Sequence, residues 1–215
     1  MVDISHQFIT WPNRVQQQEI MREFFTSAGF PNVIGAVDGS HIRIIMPKDG
    51  HDFINRKNFA SIDVMAVCDS KGIEPTTSRY VGGRLTTRPR RRSCTNTKMN
   101  DVHLQVVQYL VQKSRFTFLD ARWPGSSHDS FIYRASDLAD HMDAMNRSWT
   151  DGILIADSGY ACSRVMMTPY RVADTQQKIN FNRAHSRTRV AVEMAFGRWK
   201  RRFGILHGEV NIKYE

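Results

Sequence analysis

The stretch Asn32 to Met46, NVIGAVDGSHIRIIM, constrains most strongly what this chain folds into. It is hydrophobic and rich in β-branched residues, the pattern of a strand buried on both faces, yet it carries Asp38 in its middle. A bare carboxylate there is costly to ionise unless it is paired or bound to a metal. From this stretch alone two readings of Asp38 stay open: a strand-end residue that starts a turn with Gly39, or part of a functional site.

The flanking sequence supplies the other elements of an α/β domain. Arg14 to Ala28 reads as a helix, with Ile20, Phe24 and Phe25 at helical spacing and Gly29 as its stop. Ala60 to Asp69 reads as a second strand, antiparallel to the first across a short connection. Phe116 to Asp120 alternates like a third strand and is broken by Trp123-Pro124-Gly125. A helix is predicted from about His128, with Ser127 as N-cap and Phe131, Ala135, Leu138 and Met142 on one face. Asp129 falls in its first turn, where the helix dipole alone favours a carboxylate. The run ILIAD, 153–157, is another apolar strand that delivers a carboxylate, Asp157, to its C-terminal end. After an irregular polar stretch, a last helix runs from about Arg187 to Arg202. Its core stripe is Val192, Ala195 or Phe196, Trp199 and Phe203. Glu193 lies beside that stripe, with Arg189, Gly197 and Lys200 on the same flank.

Charge is unevenly spread. Residues 73–115 hold nine Lys or Arg against Glu74 and Asp101, so most of the net +9 belongs to one segment. That segment lacks an apolar period before about Asp101, and it reads as loop or disorder followed by a helix near Asp101 to Lys113. The basic excess suggests a polyanionic partner. No apolar run of about 18 residues and no basic, then apolar, leader is visible, so we expect neither a membrane span nor secretion. Cys68, Cys94 and Cys162 are far apart without a CxxC pair, which fits a reducing compartment and argues against structural zinc.

Two strand-borne aspartates and a helix-borne glutamate are the set that two-metal phosphoryl chemistry requires. Mg2+ or Mn2+ prefers hard oxygen ligands, and a pair of ions roughly 3.5–4 Å apart can serve both the attacking and the leaving oxygen. One metal pair would account for several costly carboxylates at once.

Six blocks in order carry a resemblance: GFPNVIGAVDGSHI at 29–42, INRKNFASIDVMAVCD at 54–69, WPGSSHDS at 123–130, ILIADSGY at 153–160, MTPY at 167–170 and NRAHSRTRVAVEMAFGRWKRRF at 182–203. In these the chain resembles the PIF/Harbinger transposases and the transposase-derived nucleases related to them, of the DDE superfamily. The resemblance implies a ribonuclease H-like core, a mixed sheet flanked by helices. It implies a metal-dependent DNA endonuclease using Mg2+ or Mn2+, with Asp38 as first catalytic aspartate and Glu193 as catalytic glutamate. For the second aspartate the choice lies between Asp129 and Asp157. Strand order favours Asp157, which stands 36 positions before Glu193. Asp129 then matches an auxiliary helix acid, and all four are expected to line the metal site. Asn55, Arg56, Lys57, Lys200 and Arg201 are expected near DNA phosphates, whereas His41, His128 and His185 are read as structural or phosphate-facing.

The resemblance also implies a nuclear location with a Myb/SANT-like DNA-binding partner, and a cytoplasmic one without it. Relatives pass from the second strand to the third through a short turn, so 73–115 is a basic insertion or translated non-coding sequence. We expect 1–31 to be a helical flank and 32–215 a catalytic core interrupted by that insertion. The N-terminal helix-turn-helix and later helices usual in the family are not visible. A second functional reading therefore stands beside the first: a catalytically inactive, truncated transposase derivative that binds DNA or a partner.

Overall fold

The computed structural model of the protein describes residues 11–48, 50–73, 116–145, 148–202 and 206. The expected helix at 101–113, and Phe203 of the expected stripe, lie outside these residues. The first helix, α1 (Arg14–Ala28), has the predicted bounds. Asn13 caps it by accepting from the Gln16 N–H, while the Gln16 side chain reaches back to the Asn13 N–H. Gly29, at φ 76°, closes it in the left-handed conformation.

Five strands follow: β1 (Val33–Arg43), β2 (Ser61–Cys68), β3 (Phe116–Pro124), β4 (Ile153–Ile155) and β5 (Met166–Met167). They form one sheet in the order β3-β2-β1-β4-β5. β1 pairs antiparallel with β2 and β2 with β3, while β4 runs parallel to both β1 and β5, giving the mixed sheet expected. The insertion does not part the second and third strands, because Cys68 pairs directly with Phe116. β3 is longer than predicted: Trp123 and Pro124 remain in it, opposite Asp63 and Ile62, and the chain turns only at Gly125.

Side chains alternate across the sheet and build two cores. Ala36, Val64, Ala66, Cys68, Ile153 and Ile155 face α1 and the long last helix, meeting Ile20, Phe24, Val192, Phe196 and Trp199. Ile34, Val37, Met65, Val67 and Leu154 face the other way, against Ile132, Leu138, Met142 and Tyr160. The helix expected from His128 is two helices, α2 (Asp129–Arg134) and α3 (Asp137–Met145), broken at Ala135-Ser136. The break turns Ile132 inward and leaves Phe131 half exposed, so the single predicted face is corrected.

The last helix, α4 (Gln176–Arg202), begins eleven residues before its predicted start. Its polar first half is held from outside the helix. Asn182 accepts from the Tyr170 N–H and donates to the Tyr170 carbonyl, both at 2.9 Å, and Phe181 packs edge-on to Phe30 and Tyr170.

Candidate functional site

β4 has three residues and β1 eleven, so β4 covers β1 only as far as Ala36, and among the described residues no strand flanks the next stretch of β1 on that side. Crevices beyond the carboxyl ends of parallel strands are where α/β sheets place ligands. Asp38 stands there. Its Oδ1 accepts from the Gly39 N–H at 2.9 Å and its Oδ2 from Arg189 Nη1 at 3.1 Å. The same guanidinium donates through Nη2 to Glu193 Oε1, one turn further along α4. The acid of β1 and the acid of α4 are thus brought within the span of one arginine.

Asp157 follows β4 by two residues, and its Oδ1 accepts from the Gly159 N–H at 2.8 Å. Asp129, the first residue of α2, is wedged between two glycines. A Cβ on Gly39 would lie 2.5 Å from Asp129 Oδ1, and one on Gly159 would lie 3.3 Å from Asp129 Oδ2 and 3.0 Å from Asp157 Oδ1. A side chain at Gly39 would overlap the Asp129 carboxylate, and one at Gly159 would press tightly on Asp157 and Asp129.

The acids raise one another's proton affinity. Burial pushes Asp38 up to about 6; Arg189 opposes this, and Asp157 and Asp129 add to it. Burial, then Asp157, also hold Asp129 above the usual carboxylate range, with Arg56 pulling against them from 3.9 Å.

One acid was not singled out from the sequence. Asp63, on β2, is 2% exposed, and its Oδ1 has neither an N–H nor an O–H upon it. It faces the Asp129 carboxyl above Gly39, whose Cβ would lie 3.2 Å from Asp63 Oδ1. Burial raises Asp63 to about 7, with the Asp129 charge next in importance. The signal was available, since Asp63 interrupts the apolar run ASIDVMAVCD just as Asp38 interrupts its own.

Basic groups border the acids on one side. Lys200 donates to the His41 carbonyl at 3.0 Å, tying α4 to β1. Burial and the charges of Arg56, Lys200 and Lys57 hold His41 below its ordinary value, which places all three cations around that ring. Arg201 is exposed and folded back on its own helix, donating to the Gly197 carbonyl at 3.2 Å.

Asn55 is buried, donates to Ser61 Oγ at 2.8 Å and accepts from the Lys57 N–H at 2.8 Å, so its side chain builds the turn that carries Arg56 and Lys57. His185 is buried beneath Phe181, its Nε2 lies 3.1 Å from the Met167 carbonyl, and burial keeps it below its ordinary value. His128 is the N-cap residue of α2, without a capping side-chain bond.

Among the described residues, no three or more His, Cys, Asp or Glu side chains already stand as a metal cage. The donor set nevertheless suits a hard divalent cation. It is made of carboxylate oxygens, two of them on acids driven to about 6 and 7 by burial and mutual repulsion, around a space kept clear by Gly39 and Gly159.

The mixed five-stranded sheet and its flanking helices have the arrangement of a ribonuclease H-like DDE core, with Asp38 midway along β1 and Asp157 just beyond β4. The profile of the family described as DDE superfamily endonuclease matches residues 86–215, and the chain belongs to that family. Among curated proteins it is similar to "Putative nuclease HARBI1" of Bos taurus, 26% identical over 212 residues, covering 97% of this chain and 48% of that protein. The Homo sapiens protein of the same name is 26% identical over 210 residues, with the same shares. "Protein ALP1-like" of Arabidopsis thaliana is 23% identical over 212 residues, covering 93% of this chain and 42% of that protein. The chain therefore spans about half the length of these relatives. No solved structure matches it.

Proposed function

We propose that this chain is the catalytic core of a metal-dependent endonuclease that hydrolyses DNA phosphodiesters, with Asp38, Asp157 and Glu193 as its catalytic acids and Asp129 as a further cation ligand. The observation that carries the reading is the single guanidinium of Arg189 shared by Asp38 and Glu193. It brings together two acids 155 positions apart, beside Asp157 and Asp129.

In the reaction, water attacks phosphorus, the bond to the 3′-oxygen breaks, and the products are a 5′-phosphate and a 3′-hydroxyl. Bound Mg2+ or Mn2+ supplies Lewis acidity toward the attacking water and the leaving oxygen. Asp38, Asp157, Glu193 and Asp129 would hold it. Arg56, Lys57, Lys200 and Arg201 bind and orient the DNA backbone through its phosphates, a sequence-independent contact. Arg189 must release Asp38 and Glu193 when a cation takes them. Residues 1–31 act as a helical flank and 32–215 as the core. A Myb/SANT-like protein supplies further DNA binding and nuclear delivery.

The arginine clamp also favours a second reading, in which the acids remain paired with Arg189 and the chain binds DNA or a partner without cleaving. Mn2+-dependent nicking of supercoiled plasmid separates the two. The nuclease reading expects nicking that is lost in Asp38→Ala and in Glu193→Ala. Binding without nicking would favour the second reading, and equal nicking by wild type and both variants would defeat the first.

A further inference from the structure

The Asp63 carboxyl is the least accounted for polar group in the crevice. It is buried, and no N–H or hydroxyl donates to its Oδ1, the Asp129 carboxyl being the group within hydrogen-bonding reach. A carboxyl group in such a place ordinarily has its lone pairs satisfied, because an unpartnered buried polar atom forfeits the hydrogen bonds it made with water. What Oδ1 faces is the Asp129 carboxyl, and both stand over Gly39. Two carboxyls facing each other across a position kept free of a side chain leave room for a small positive charge. Nearby, Tyr160 Oη is also buried without a partner. Arg56 reaches Asp129 only at 3.9 Å from an exposed position, too far to satisfy Asp63.

We infer that Asp63 is a cation ligand and that, with Asp129, it forms a divalent-cation subsite over Gly39, distinct in its donors from the Asp38, Asp157 and Glu193 set. The inference rests on the reading of the crevice as a divalent-metal site. Such a subsite uses one carboxylate from β2 and one from the start of α2, with water completing the coordination as hard cations commonly allow. Its formation would join α2 to the interior strand β2 through the ion.

Calorimetric titration of the full chain with Mn2+ alone, without DNA, tests this directly. Wild type is expected to bind Mn2+. Asp63→Asn is expected to lose one binding event, or to weaken it on the order of 100-fold, the upper end of losses seen when metal-site partners are removed. Gly39→Ala offers a second route should Asp63→Asn fold poorly. It keeps every carboxylate and the N–H on Asp38, but its Cβ enters the cradle 2.5 Å from Asp129 Oδ1. It is expected to reproduce the loss, while Glu193→Gln retains the Asp63-dependent event. Unchanged Mn2+ binding in both Asp63→Asn and Gly39→Ala overturns the subsite and leaves the nuclease reading standing. Absence of any Mn2+ binding by folded wild type overturns both.

Discussion

Arg189 and Asp38 stand 151 positions apart in sequence and 3.1 Å apart in space, joining the middle of α4 to the middle of β1. The pair is half-buried, and Arg189 is the largest influence opposing the rise in Asp38's proton affinity. Arg189→Gln should therefore lift the Asp38 pKa further above about 6, as read from the pH dependence of its carboxyl carbon resonance. It should also tighten Mn2+ binding about tenfold, or ~1.4 kcal/mol, since the guanidinium no longer competes for Asp38 and Glu193. Weaker Mn2+ binding in the variant would show that Arg189 organises the acids and does not compete for them.

Stability should fall as pH rises. Asp38 and Asp63 have folded-state values of about 6 and about 7 against 3.8 for the free side chain, so the folded chain holds these protons more tightly than the unfolded one. The resulting stabilisation is full below about pH 4 and is lost through pH 6 and 7. Asp63→Asn, which removes the more buried acid, should be more stable than wild type at pH 8 by about 2–4 kcal/mol in metal-free urea denaturation. The difference should shrink at pH 5.

Much of that behaviour was legible in the sequence, and the gaps have physical causes. α1 was readable to the residue because its apolar period and its glycine stop are both local signals. The first half of α4 was not, since QQKINFNRAHS has no continuous apolar stripe and depends on Tyr170 and Phe30, contacts that only the folded chain supplies. β5, two residues long, owes its conformation to pairing with β4. At the site, the cost of burying Asp38 left two readings open, and only its grouping with Asp157 and Glu193, and then the resemblance, pointed to a metal site. Asp63 carried the same cost and lies inside the block at 54–69, but it was passed over because the resemblance assigns no role to that position.

Trp199 is 1% exposed between α4 and the sheet and packs against Phe196. Trp199→Ala should cost about 3–5 kcal/mol in urea unfolding, from lost burial and the cavity left behind. Because that core also sets the height of Glu193 over β1, Mn2+ binding should weaken in the variant even where it remains folded.

The basic border and the buried turn beside it should separate cleanly. Lys57→Ala and Arg201→Ala should each weaken DNA binding and reduce the slope of log affinity against log salt by about 1, with little change in stability. Asn55→Ala should do the reverse, costing about 1–3 kcal/mol of stability by removing the acceptor of the Lys57 and Phe59 N–H groups and the donor to Ser61 while leaving the salt slope unchanged. A lowered slope for Asn55→Ala would return it to the phosphate contacts.

The direct pairing of Cys68 with Phe116 means that the β2–β3 ladder runs to the last residue of β2 and the first of β3. The exit from β2 is pinned to α1, where Lys71 lies 3.2 Å from Glu23 and Ser70 donates to the same carboxylate. The polypeptide is therefore two halves held by two β ladders, β2 with β3 and β1 with β4: the first owns Asp38 and Asp63, the second Asp129, Asp157 and Glu193. Neither half possesses the acid centre, so the centre comes into being only when the halves dock, and a pair of fragments severed between 73 and 116 would carry that docking as an on-switch.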